Sequence, residues 1–246
     1  MITFEAASVT VTGSSRTAVQ VLSPVTCALT ESRVAVIGSN GSGKSTLARL
    51  VNGLVLPSSG RVLVDGLDTA HDGAQVRQRV GFVFTDPDAQ LVMPTAIEDV
   101  VLSLRRLGLS RADREDRARG ILGRFGLGDR ADAPVHSLSG GQKQLLALAG
   151  VLATDPSILV CDEPTTLLDL RWRRHGDDLL ADLPQQVLLV THDLETAARA
   201  DRVLVVDGGT VVFDGGARAA IEHYRTLMGA VDDGLPVPGQ SPRRAR

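Results

Sequence analysis

Gly38-Ser39-Asn40-Gly41-Ser42-Gly43-Lys44-Ser45-Thr46 follows directly on the apolar run Arg33-Val34-Ala35-Val36-Ile37, and this pair of segments decides the fold. The run is short, β-branched and bounded by turn formers, so it reads as a buried parallel strand. Lys44 to Leu54 reads as a helix. Between them, the glycines let consecutive backbone N–H groups turn inward toward a polyphosphate, and the helix N-terminus adds its dipole. Lys44 supplies a mobile cation and Ser45 a hydroxyl for magnesium. A glycine-rich turn with a chance lysine is the bland alternative, and the strand-loop-helix order speaks against it. By itself the loop does not separate a kinase, a GTPase or a transport ATPase.

Further apolar runs at Val80 to Phe84, Ile158 to Cys161, Val187 to Thr191 and Val203 to Val206 alternate with amphipathic stretches, which predicts an α/β fold with a parallel sheet. Between about Thr95 and Ala153 the periodicity is helical, with charge-rich Arg105 to Arg119 and then the mostly apolar Gln142 to Ala153. This stretch is expected to be a helical sub-domain, about residues 95–153, inserted into a single domain spanning 1–228. Residues 229–246 carry Pro236, Pro238 and Pro242 and end Arg243-Arg244-Ala245-Arg246, the pattern of a disordered tail.

The chain has 246 residues, 43% of them hydrophobic, enough to bury a full core. With 26 basic and 29 acidic residues and a net charge of −3, no general attraction to nucleic acid or anionic lipid is expected, so any anion site is local. Cys27 and Cys161 both lie among apolar neighbours and read as packed thiols in a reducing compartment. The longest apolar stretch, Leu145 to Ala153, is too short to span a bilayer, and nothing reads as a signal peptide. A membrane role would therefore come through a partner.

Ile158-Leu159-Val160-Cys161-Asp162-Glu163-Pro164 is an apolar strand ending in two carboxylates, at the sheet edge where parallel α/β folds bind ligands. Asp162 is placed to hold magnesium and Glu163 to act as general base on the attacking water. Taken alone, an acidic pair at a strand end is as well explained by a turn. His192 follows the strand Val187 to Thr191 and is expected at the same edge, as a polar sensor orienting water and phosphate. Leu138-Ser139-Gly140-Gly141-Gln142 precedes an apolar helix, and serine plus glycines at a helix start again suit an anion, with a plain helix cap as the alternative.

This ordered set, over about residues 1 to 228, strongly resembles the ABC transporter ATPase family. The resemblance implies a P-loop NTPase (RecA-like) parallel-sheet core with an antiparallel β edge and an inserted α-helical sub-domain. It implies ATP and Mg2+ as ligands, and two subunits packed head to tail. Ser139, Gly140, Gly141 and Gln142 of each would then contact the ATP held by the other's phosphate loop, with Asp169 in the connecting loop. Two departures stand out. Where the family usually has an aromatic residue stacking on adenine, the strand Val9-Thr10-Val11 offers valine. Where it usually has glutamine, this chain has Thr85, whose hydroxyl lacks the amide's reach; Gln90, five residues on, either compensates or faces a membrane partner.

Thr85 to Val100 looks like the corresponding segment of energy-coupling-factor importers, and Glu163 to Arg171 resembles ATPases of tripartite biotin uptake systems. Cobalt and nickel importers of the same class share every motif quoted. The resemblance implies three partners: a second ATPase subunit, a transmembrane scaffold protein and a membrane substrate-capture protein, with no nucleic acid. It places the chain at the cytoplasmic face of the membrane, as a peripheral subunit.

Overall fold

The computed structural model describes residues 1–12, 18–164, 176 and 178–232, the last three by backbone alone. In chain order, β1 (Ile2–Thr12) and β2 (Ala18–Leu29) are followed by β3 (Arg33–Ile37), α1 (Lys44–Val51), β4 (Ser59–Val64) and β5 (Leu67–Asp68). Next come α2 (Gly73–Arg79), β6 (Val80–Val83), α3 (Ala96–Ser103), α4 (Arg111–Arg124), α5 (Gly140–Leu152) and β7 (Ile158–Asp162). The described elements end with β8 (Gln186–Val190), α6 (Leu194–Ala197), β9 (Arg202–Asp207), β10 (Thr210–Gly215) and α7 (Ala217–Asp232).

Two sheets result. One is ordered β10-β9-β3-β8-β7-β6, parallel throughout except for β10 at its edge; the other is antiparallel and ordered β2-β1-β4-β5. Alternation along the strands assigns each face its cover. Val34, Val36, Val160, Leu188, Leu204 and Val206 join a core with Leu47, Leu50 and Val51 of α1 and with Ile2, Phe4, Val62 and Val64 of the antiparallel sheet. On the other face, Leu159 and Cys161 pack with Leu104, Leu122, Leu145 and Leu146, while Ala35, Ile37, Val203 and Val205 pack beneath Ala220 and Ile221 of α7. Each fully buried aliphatic side chain contributes roughly 1.5–3 kcal/mol relative to exposure. A parallel sheet covered on both faces accounts for strands that read as unbroken apolar runs.

The helix expected over Lys44 to Leu54 ends sooner, at Val51. Gly53 takes φ +71° and the Asn52 side-chain carbonyl accepts the Leu54 N–H, so the chain turns instead of continuing. At the other end, α7 runs to Asp232, past the Gly229 at which a disordered tail was expected to begin; residues 233–246 lie outside the described set. Helices α3 to α5 fill the stretch between β6 and β7 and share one apolar cluster with that side of the parallel sheet.

Candidate functional site

The carboxyl ends of β3, β6, β7 and β8 converge, and each delivers a polar residue to the same place. After Ile37 the chain passes the β9 backbone so closely that a Cβ on Gly38 would lie 2.0 Å from the Val206 carbonyl oxygen; only glycine fits. Gly43 closes the loop at φ +103°, and α1 starts at the next residue. The loop is fastened from outside, with the Gly209 N–H donating to the Ser42 carbonyl at 2.9 Å.

Helix α1 has no side-chain cap and no acidic residue in its first turn. Helices α3 and α5 carry reciprocal capping boxes and Ser110 caps α4, whereas α2, like α1, has no side-chain cap. The positive end of α1 is thus left for an external anion. Lys44 folds back over the loop, its Nζ donating to the carbonyls of Gly38 at 3.0 Å and Ser39 at 2.8 Å, and it is 4% exposed. Burial pulls its ammonium below the ordinary lysine value, opposed by the attraction of the Glu163 and Asp162 carboxylates. Ser42 Oγ is buried with no hydrogen-bond partner, a polar atom inside the loop available to a ligand.

Asp162 ends β7 and is almost wholly buried. Ser45 Oγ donates to its Oδ1 at 2.8 Å, and Arg49 forms an ion pair with its Oδ2 at 3.3 Å. Arg49 was not singled out from sequence, although it lies four residues after Ser45 and so shares that helix face. Ser45 and Asp162 together form a hydroxyl and carboxylate donor pair, the hard-oxygen chemistry that suits Mg2+. Among the described residues no group of three or more His, Cys, Asp or Glu gathers as a metal cluster, so an ion here would draw its other ligands from phosphate and water.

Glu163 takes the left-handed conformation, φ +51°, so its side chain turns away from that of Asp162. Its carboxylate meets His192, with Nδ1 to Oε2 at 3.2 Å, and His192 is held at the end of β8 by the Thr191 N–H donating to the Val36 carbonyl at 3.1 Å. Gly38 through Thr46, Asp162, Glu163 and His192 therefore share one sheet edge.

Thr85 also reaches this edge, where its hydroxyl donates to the main-chain carbonyl of Asp162 at 2.7 Å. Gln90 is tied locally: its Oε1 accepts the Phe84 N–H at 3.2 Å and its Nε2 donates to the Ala147 carbonyl at 3.4 Å. Gln144, unnoticed in the sequence, donates to the Phe84 carbonyl at 3.1 Å. Val11 is 49% exposed and pairs across the ladder with Val19.

Ser139, Gly140, Gly141 and Gln142 stand apart. No hydrogen bond or ion pair among the described residues joins them to the loop at 38–46. Ser139 Oγ accepts the Gln142 N–H at 3.3 Å while Gln142 Oε1 accepts the Ser139 N–H at 3.0 Å, so the start of α5 is capped from within. Ser139 and Gly140 are exposed. Asp169 lies outside the described residues.

The ABC transporter family matches residues 24–166. A putative ABC transporter ATP-binding protein of Deinococcus radiodurans is 50% identical over 208 residues, 85% of this chain and 92% of that protein. The biotin transport ATP-binding protein BioM of Rhizobium etli is 47% identical over 206 residues, 84% of this chain and 92% of its own. Among solved structures, cbiO1 of Clostridium perfringens, part of the ABC transporter complex cbiONQ, superposes with a TM-score of 0.77 at 30% identity, covering 96% of this chain and 95% of that one. A dimeric ATP-binding cassette in a post-hydrolysis state with ADP and Pi superposes with a TM-score of 0.79 at 29% identity, covering 89% of this chain and 99% of that one. With a phosphate loop, an acidic strand end and a detached Leu-Ser-Gly-Gly-Gln segment on this fold, the chain belongs to the ABC transporter ATP-binding family and is an ATPase.

Proposed function

We propose that the chain powers an energy-coupling-factor importer whose cargo is biotin. The observation that carries this reading is the 47% identity, over nearly the full length of both chains, to a protein named for biotin transport. Cargo specificity resides in the membrane partners, so no pocket in this chain is assigned to biotin. Among the described residues no helix is long and apolar enough to cross a membrane, which is compatible with a peripheral subunit held by a transmembrane scaffold and a substrate-capture protein.

Two chains pack head to tail around ATP. The main-chain amides at Gly38 to Thr46 and the Lys44 ammonium grip the phosphates, and the exposed Ser139 and Gly140 of the opposite chain close over them. Ser45 and Asp162 would hold Mg2+, which would supply positive charge against the phosphates. Glu163 takes the proton from the attacking water, and His192 keeps the Glu163 carboxylate in place. Hydrolysis then separates the pair and resets the transporter.

The test is uptake of labelled biotin in a strain lacking this chain. Restoration by the parent chain and not by Glu163→Gln supports the reading, whereas restored cobalt or nickel uptake with no change in biotin contradicts it.

A further inference from the structure

The peptide unit between Asp162 and Glu163 is held from both sides. Its carbonyl accepts the Thr85 hydroxyl at 2.7 Å, and its N–H donates to the Val190 carbonyl at 3.0 Å. Thr85 projects from the chain just past β6 and Val190 ends β8, so the two strands flanking β7 clamp one peptide plane between them. On that plane the chain changes direction. Asp162 still faces Ser45, while Glu163 at φ +51° faces His192, a backbone conformation that a residue with a Cβ adopts only when its surroundings hold it there.

Thr85 is itself firmly placed. The Phe84 N–H donates to Gln90 Oε1 and the Phe84 carbonyl accepts from Gln144 Nε2, so both polar groups of the preceding residue are tied to side chains whose own positions are set by α5 and the loop after β6. The ladder pairs Val83 with Cys161, which brings residue 85 opposite the Asp162–Glu163 turn. By then the two backbones have parted, and a short hydroxyl side chain bridges the gap.

We infer that Thr85 is a positioning residue for hydrolysis: its hydroxyl fixes the Asp162–Glu163 peptide so that the two carboxylates diverge, one toward Ser45 and one toward His192. This rests on Glu163 being the general base. It gives Thr85 a role exercised through the backbone of Asp162, distinct from contact with metal or phosphate, and it gives Gln90 and Gln144 the role of holding Thr85 in register. A hydroxyl reaches the Asp162 carbonyl at this position; a valine of the same shape does not.

The experiment is steady-state ATP hydrolysis by the full chain assembled with its membrane partners, comparing the parent with Thr85→Val, Thr85→Ser and Glu163→Gln. Thr85→Val is expected to lower kcat roughly five- to tenfold, the size of one lost hydrogen bond, with KM for ATP unchanged to within about twofold. Thr85→Ser, which keeps the hydroxyl, is expected to hold kcat within about twofold of the parent. Thermal melting identifies folded variants, and Thr85→Ala replaces Thr85→Val if valine disturbs folding. The inference is overturned by a hydroxyl-free variant with parental kcat, by a change confined to KM, or by equal losses in the serine and valine variants. Should Glu163→Gln hydrolyse at the parental rate, the reading of Glu163 itself fails; an inactive Glu163→Gln beside a fully active Thr85→Val sinks only the role given to Thr85.

Discussion

Ser45 Oγ donates to Asp162 Oδ1 across 2.8 Å, joining the first turn of α1 to the last residue of β7 over 117 positions of sequence. The contact brings a hydroxyl and a buried carboxylate together beside the phosphate loop, where the hard-oxygen chemistry suits Mg2+. Ser45→Ala removes one donor of the pair and leaves the loop amides untouched. The expected result is a Mg2+ requirement for hydrolysis raised roughly tenfold, with metal-free nucleotide binding nearly unchanged. Magnesium titration of the ATPase rate checks it.

Glu163 and His192 make the second contact at this edge, with Nδ1 to Oε2 at 3.2 Å. Glu163→Gln keeps the size of the side chain and removes its basicity. Hydrolysis is expected to fall by about 10²-fold or more while ATP remains bound, so the paired state should accumulate. Single-turnover phosphate release together with gel filtration in ATP measures both effects.

Ser139 separates capping from catalysis. Its Oγ accepts the Gln142 N–H at the start of α5, so Ser139→Ala is expected to cost about 1 kcal/mol of stability as well as activity. Ser139→Asp preserves the cap but brings a negative charge to the partner's phosphates. It should melt like the parent and hydrolyse far more slowly. A Ser139→Asp chain with parental ATPase activity would remove this segment from the paired site.

The phosphate loop and its strand were legible because they are local: Arg33 to Ile37 is a β-branched run with turn formers at both ends, and it became β3 with those bounds. Strands β7, β8 and β9 came within a residue of their expected ends for the same reason. The length of α1 was misread because the apolar run continues through Val55 while Asn52 and Gly53 turn the chain. Less visible still were Arg49 against Asp162, Gln90 and Gln144 around Phe84, and Thr85 on the Asp162 carbonyl. Each depends on which strands lie side by side, and the order β3-β8-β7-β6 brings together segments far apart in sequence. The left-handed turn at Glu163 was hidden too, since nothing in the residue type announces a positive φ.

The two cysteines give a pH-dependent prediction. Burial, aided by Asp214, pushes the Cys27 thiol from an ordinary 9.0 up to about 11, and complete burial raises Cys161 as well. A thiol whose value is raised by folding stabilises the native state while it stays protonated. That contribution is intact below about pH 9 and is lost as pH rises toward about 11. At pH 8 the shift at Cys27 leaves roughly a hundredfold less thiolate than an exposed cysteine has, so a thiol reagent should label the native chain slowly and the denatured chain at once. Melting temperature should fall between pH 9 and pH 11, and by less in Cys27→Ala.

The central claim is that triphosphate is gripped by the loop around Lys44, whose buried ammonium rests on the Gly38 and Ser39 carbonyls until phosphate oxygens take their place. The most direct measurement is the ATP-induced shift in melting temperature of the parent and of Lys44→Ala. At ATP concentrations near 100 times Kd the parent should gain about 2.7 kcal/mol, a rise of roughly 5–10 °C, and Lys44→Ala should show almost none. An equal shift in both proteins would contradict the account.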